Sequence, residues 1–97
     1  MEQYFGNNVA NVYQILSTTK VAIGSVSANI QLEANSIYRI MSDSICYLKQ
    51  GNDNTVTATT DDMPLDGFSN FFINTQNGMN WLAYIGSSGN LWITKVA

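Results

Sequence analysis

A rhythm of strand and turn signals constrains this chain more than any other feature. From residue 20 onward, short β-prone runs are cut by polar turn clusters at roughly 8–12-residue spacing, and no helical period appears. The residues "KVAIGSVSANIQL", 20–32, alternate apolar and small polar side chains and break near Gly24 and Ser27. Two short strands or one bent strand fit that run. "SIYRIMS" (36–42) and "ICYLKQG" (45–51) flank a polar pair and read as a hairpin. "QGNDN" is a turn cluster, "TVTATT" is β-prone by its Thr and Val, and "GFSNFFINT" (67–75) reads as a strand. Asn77-Gly78 is the strongest short turn signal. "WLAYIG" and "NLWITKV" flank "SSG" and read as a second hairpin, with Gly89 free to take a positive φ.

Counted along the chain, these runs give about seven or eight short strands. The expected fold is all-β, a small antiparallel β-sandwich or flattened barrel over residues 15–97. Residues 1–14 stand outside the pattern as an N-terminal arm. The residues expected to line the core are Ile37, Ile40, Cys46, Leu48, Phe72, Leu82, Ile85, Leu91 and Ile93. Within each strand the inward set hangs on register, because a slip of one residue reverses it.

Composition narrows the function. The chain has 97 residues, net charge −3 and 11% charged residues, against about 25% in ordinary globular proteins. One domain of this size buries little surface on its own and gains from partners. The four basic residues, Lys20, Arg39, Lys49 and Lys95, are scattered in the sequence, which argues against binding a phosphate backbone. There is no histidine, so Ser-His-Asp triads and Cys-His pairs cannot be built within one chain. Cys46 is the only cysteine, and no intrachain disulfide can form. No secretory leader and no apolar run of spanning length is visible, so a cytoplasmic protein without a membrane role is expected.

The stretch "TVTATTDDMPLDGF", 55–68, holds three of the seven acidic residues and the only proline. Asp61, Asp62 and Asp66 could in principle take calcium, but "DDMPLDG" lacks the ligand spacing of an EF-hand loop. The structural reading places them in a Pro-centred turn that bonds its own backbone, with Met63 and Leu65 plugging the sandwich. No metal and no cofactor is expected. Cys46 lies in an apolar strand with no cationic neighbour in sequence, which fits an inert buried thiol. Trp81, Tyr84 and Trp92 could stack on sugars or bases, or anchor a core or an interface. The arm carries Tyr4, Phe5, Val9, Val12 and Tyr13, too apolar for a free tail. It can pack on its own domain or on a neighbour; the neighbour is the expectation, with Tyr4, Phe5 and Tyr13 as anchors.

Taken in order, "SANIQL", "NSIYRIMSDS", "CYLKQG", "VTATTDDMPLDG", "FSNFFI" and "WLAYIGSSGNLWIT" resemble the frame of a family of small bacteriophage and prophage virion proteins. The resemblance covers about residues 27–94, and its most specific piece is "VTATTDDMPLDG" followed by the terminal segment. The chain departs from that frame in "MSDS", where Asn-Gly-like turns are usual, in its "KVA" ending, and in its arm. The resemblance implies a non-enzymatic structural protein of the virion, a head decoration (cement) or a head–tail neck component, assembled in the host cytoplasm. Its implied partners are itself, as a homotrimer by capsid geometry, and other head, neck or tail proteins. The alternative from another class is a carbohydrate- or receptor-binding module of a tail fibre. A small enzyme is a remote third.

Overall fold

Eight strands alternate between two layers in the computed structural model, which describes residues 14–97. They are β1 (Ser17–Ala22), β2 (Ala28–Gln31), β3 (Ile37–Ser42), β4 (Cys46–Gly51), β5 (Met63–Leu65), β6 (Asn70–Asn74), β7 (Trp81–Gly86) and β8 (Asn90–Lys95). Sheet A has the order β1-β8-β3-β6 and sheet B the order β2-β7-β4-β5. Every pairing is antiparallel. The expected all-β sandwich is therefore present. Its strand order is more specific than the expectation: two four-stranded sheets in this order form a jelly roll.

Both expected hairpins are absent. β3 lies in sheet A and β4 in sheet B; β7 lies in sheet B and β8 in sheet A. Six of the seven links between strands cross from one layer to the other, and only β4–β5 stays within a sheet. The physical reason lies in the links. A two-residue hairpin wants positive φ at its central residues, and neither Asp43 nor Ser44 has it. Three extended residues reach roughly 10 Å, which is the spacing between packed sheets. Residues 43–45 and 87–89 each use that reach to arch between layers.

The core sits between the sheets. Ile40, Cys46, Leu48, Leu82, Leu91 and Ile93 are buried as expected, joined by Ile23, Leu32, Tyr38, Leu65, Ile73 and Tyr84. Three expected core residues face outward instead. Ile37 and Ile85 are only half-buried, and Phe72 is 46% exposed. In a strand the inward set recurs every second residue. Ile37 and Ile40 are three apart, as are Leu82 and Ile85, so neither pair can share a face. In β6 the buried Ile73 fixes the register, which turns Phe72 outward and leaves Phe71 at the rim of the core.

Polar clasps close the ends of the sandwich. At one end the fully buried Thr75 hydroxyl donates to Glu33 O (2.6 Å) and accepts from Ser36 N–H (2.9 Å), tying the β2–β3 link to the end of β6. At the other, the Asp43 carboxylate accepts from Asn90 N–H (2.7 Å) and from the Asn90 side-chain amide (3.2 Å), while Ser44 Oγ donates to Ser88 O (2.6 Å). Gly89 at φ 105° sits under this clasp, and a Cβ there would overlap Ser44 Oγ and Asp43 Oδ1. The Pro64 segment is the edge strand β5 rather than a turn. Leu65 is buried opposite Cys46, while Met63 is more than a third exposed. A proline at an edge leaves no ladder bond unmade.

Candidate interaction surface

Among the described residues, the two outer faces of the sandwich differ in cover. Sheet B's outer face is small at Ala83 and at Gly51, the last residue of β4, and the connection 52–62 lies there. Val56 packs on Gly51 so closely that an added Cβ would lie 2.5 Å from Val56 Cβ. Asn29, on the same face, donates through its amide to Asn54 O (3.0 Å) and Val56 O (3.2 Å). Ser27 Oγ accepts from Ala58 N–H (2.8 Å). Ala83 is fully buried in consequence. The β-prone "TVTATT" is thus a covering loop, not a strand. Its cover ends short of Ile45, Tyr47 and Ile85, where a hollow of about 300 Å³ remains.

Sheet A's outer face is built from large side chains. Register puts Lys20, Trp92, Met41 and Asn70 in one row and Thr18, Thr94, Arg39 and Phe72 in the next. The Lys20 ammonium lies 5.7 Å from the Trp92 ring centroid, within cation–π range. Arg39 Nη2 approaches Met41 Sδ at 3.9 Å, and the hydroxyls of Thr18 and Thr94 are 3.1 Å apart. The strands of sheet A hold three of the chain's four cations and none of its seven acidic residues. Lys95, the third of these cations, pairs with Glu33 at 2.8 Å at the sandwich end, leaving Lys20 and Arg39 on the face. Trp, Phe, Met and Arg are the side chains enriched at protein–protein contacts.

The candidates from sequence fall in separate places. Trp81 is half-buried on sheet B's outer side, Tyr84 is in the core, where burial pushes its phenol up, and Trp92 is on sheet A. They do not form one stacking platform. Cys46 is fully buried, and burial pushes its thiol up, only partly opposed by the neighbouring Ser42 hydroxyl, which lacks a well-formed hydrogen bond. That is the setting of an inert thiol. Asp62 accepts from Thr59 N–H (2.7 Å), a local turn bond. Among the described residues, no group of three or more His, Cys, Asp or Glu is placed to hold a metal ion. Tyr4, Phe5 and Tyr13 lie outside the described residues.

Lys20, Arg39, Met41 and Phe72 were not singled out from sequence as surface residues. The signal was available in "IYRIM": an arginine cannot sit between sheets without a partner, so Arg39 points out and carries Ile37 and Met41 with it. Neither a family model, nor a curated protein, nor a solved structure matches this chain.

Proposed function

We propose that this protein is a non-enzymatic structural component of a bacteriophage virion, acting at the head surface or the head–tail neck by adding buried area between subunits. The observation that carries the reading is the ordered set of motifs from "SANIQL" to "WLAYIGSSGNLWIT", with "VTATTDDMPLDG" as its most specific piece. The outer face of sheet A supports it with a surface suited to another protein. The jelly roll itself favours no single role, since shell proteins and lectins both use it. The mechanism is mass action: a protein that binds only the assembled particle stabilises that particle. Residues 1–14 and their Tyr4, Phe5 and Tyr13 would add contacts to a neighbour, and the proposed assembly is a homo-oligomer. Cryo-electron microscopy of particles from a producing host tests this. Density for this sandwich at repeated positions on the particle is the expected result; purified particles free of the protein by mass spectrometry would overturn it.

A further inference from the structure

The edge strands of the two sheets are unequal. In sheet B, β2 has four residues, and β5 has three with Pro64 among them. Short edges and proline are poor templates for a further strand. β1 is the longest edge, six residues without proline or glycine, five of them exposed. Among the described residues it pairs only with β8. The bond from Ile23 N–H to Gly89 O (2.9 Å) sets the phase of that ladder. Alternate residues of an antiparallel strand bond to the same neighbour, so Ser17, Thr19 and Val21 bond to β8. Asp43 N–H on Asn90 O (3.2 Å), which turns Asn90 toward β3, agrees with this phase. The N–H and C=O groups of Thr18, Lys20 and Ala22 therefore point away from the sheet. The usual guards of an edge are missing here. Lys20, the one charge in β1, lies over the Trp92 ring at 5.7 Å instead of across the edge. On the inner side, Ser17 and Thr19 line an open hollow of about 660 Å³ with Leu32 and Tyr38.

We propose that β1 pairs with β1 of a second copy, antiparallel and across a two-fold axis, joining two four-stranded A sheets into one continuous sheet. Backbone phase and charge select the register. The outward groups lie on even-numbered residues, so only those can exchange bonds. With the axis at Thr19, Thr18 and Lys20 of one copy exchange both bonds with Lys20 and Thr18 of the other. Thr19 then meets its own copy, a favourable cross-strand pair, and Lys20 faces threonine. An axis at Lys20 would oppose like charges. An axis at Thr18 would need the Leu16 N–H, which is already given to Lys95 O (2.8 Å). A contact of this kind uses the same patch twice and closes as a dimer, rather than the homotrimer that capsid geometry implies. The inference rests on the reading of the protein as self-associating, and it names the contact and its symmetry.

Cysteine cross-linking of the full-length chain tests the register, since the native Cys46 is buried. Thr19→Cys should give a disulfide-linked dimer under mild oxidation, because directly opposite residues that exchange no backbone bonds bring their Cα atoms to about 4.5 Å. Ala22→Cys, exposed on the same edge but far from its own copy, should not. In analytical ultracentrifugation, Thr19→Glu and Thr19→Lys should each weaken association by about tenfold or more, and mixing the two should restore it. Thr19 is exposed in the single sandwich, so circular dichroism should show both variants folded. A chain that stays monomeric at about 100 μM, a trimer in sedimentation, or cross-linking no faster at residue 19 than at residue 22 overturns the inference. If deleting residues 1–13 abolishes association while Thr19→Glu does not, the arm is the contact and the inference falls. These readouts use purified protein alone. A dimer absent from particles would count against the virion role only, and a monomer bound to particles against this contact only.

Discussion

Sheet A and sheet B are the same kind of object, four antiparallel strands with one face on a shared core, yet their outer faces are finished in opposite ways. Sheet B has small residues, Gly51 and Ala83, where its own chain lies down upon it. Sheet A has Trp92, Met41, Phe72, Lys20 and Arg39 on its outer side. On sheet B the small residues mark where the chain lies on itself, while Trp81, Tyr47 and Ile85 on the same side are half-buried. A loop docks where sheet B is thin, over Gly51 and Ala83.

Adjacent residues of β8 offer the sharpest cut through this contrast. Leu91 is fully buried between the layers and Trp92 points out of sheet A. Leu91→Ala should cost about 2–5 kcal/mol of folding stability, as large-to-small core changes do. Trp92→Ala should cost much less stability, with its main effect on self-association. Urea melts and sedimentation on both variants separate the two; equal destabilisation would mean that Trp92 is part of the fold rather than of a contact.

On sheet B the expected effect is smaller. Gly51→Ala places a methyl against Val56 and should lift the 52–62 connection at a cost of about 1–3 kcal/mol, the range for overpacking. Amide exchange should then rise first at Val56 and Ala58. An enlargement on sheet A, Thr94→Ile, should leave stability within about 0.5 kcal/mol, since the exposed hydroxyl contact to Thr18 is what it removes. If both changes destabilise alike, the two faces are not finished differently.

The smallest effects are electrostatic and lie at the sandwich ends. Hydrogen bonds from the Asn90 backbone and side chain hold the Asp43 carboxyl below its ordinary value of 3.8. Its contribution to stability is therefore complete above about pH 4. It is lost as pH falls through the lower, folded value. Asp43→Asn should flatten that acid limb in pH-dependent melts. The Glu33 bond raises the Lys95 ammonium above 10.5, so its contribution is present below that value and disappears only as pH rises through the folded one. Lys95→Met should flatten the alkaline limb and remove that contribution at every pH below it. Salt should diminish the Lys95 effect, which comes from an ion pair, more than that of Asp43, whose partners are neutral.

Much of the fold was legible because strand signals are local. The β content, the turn at Asn77-Gly78 and the positive φ of Gly89 (105°) all follow from short-range chemistry. Layer assignment was not legible in the same way. "DS" between β3 and β4 looks like a hairpin link until Asp43 is seen bonded to Asn90, 47 residues later. The inward set failed where two apolar residues stood three apart, in Ile37/Ile40 and Leu82/Ile85, because period two admits only one of each. For the surface, sequence pointed to Trp92 as an anchor but could not separate it from Tyr84 in the core. The rows that join Lys20 to Trp92 and Arg39 to Phe72 come from pairing between distant strands, which no local pattern carries.

The crossing links have a consequence for how the molecule comes into being. β8, last in chain order of the eight strands, sits between β1 and β3, and β7 sits between β2 and β4. While the chain emerges from a ribosome, sheet A lacks its inner strand until Asn90–Lys95 is free, so its first and third strands have nothing to hold them together. Only the short β4–β5 pair can zip locally. Folding is then a late, chain-wide event, in the slow range of milliseconds to seconds typical of β topologies with distant pairings. A nascent chain stalled before Asn90–Lys95 has emerged would display the edges of β1 and β3 to its neighbours on the polysome.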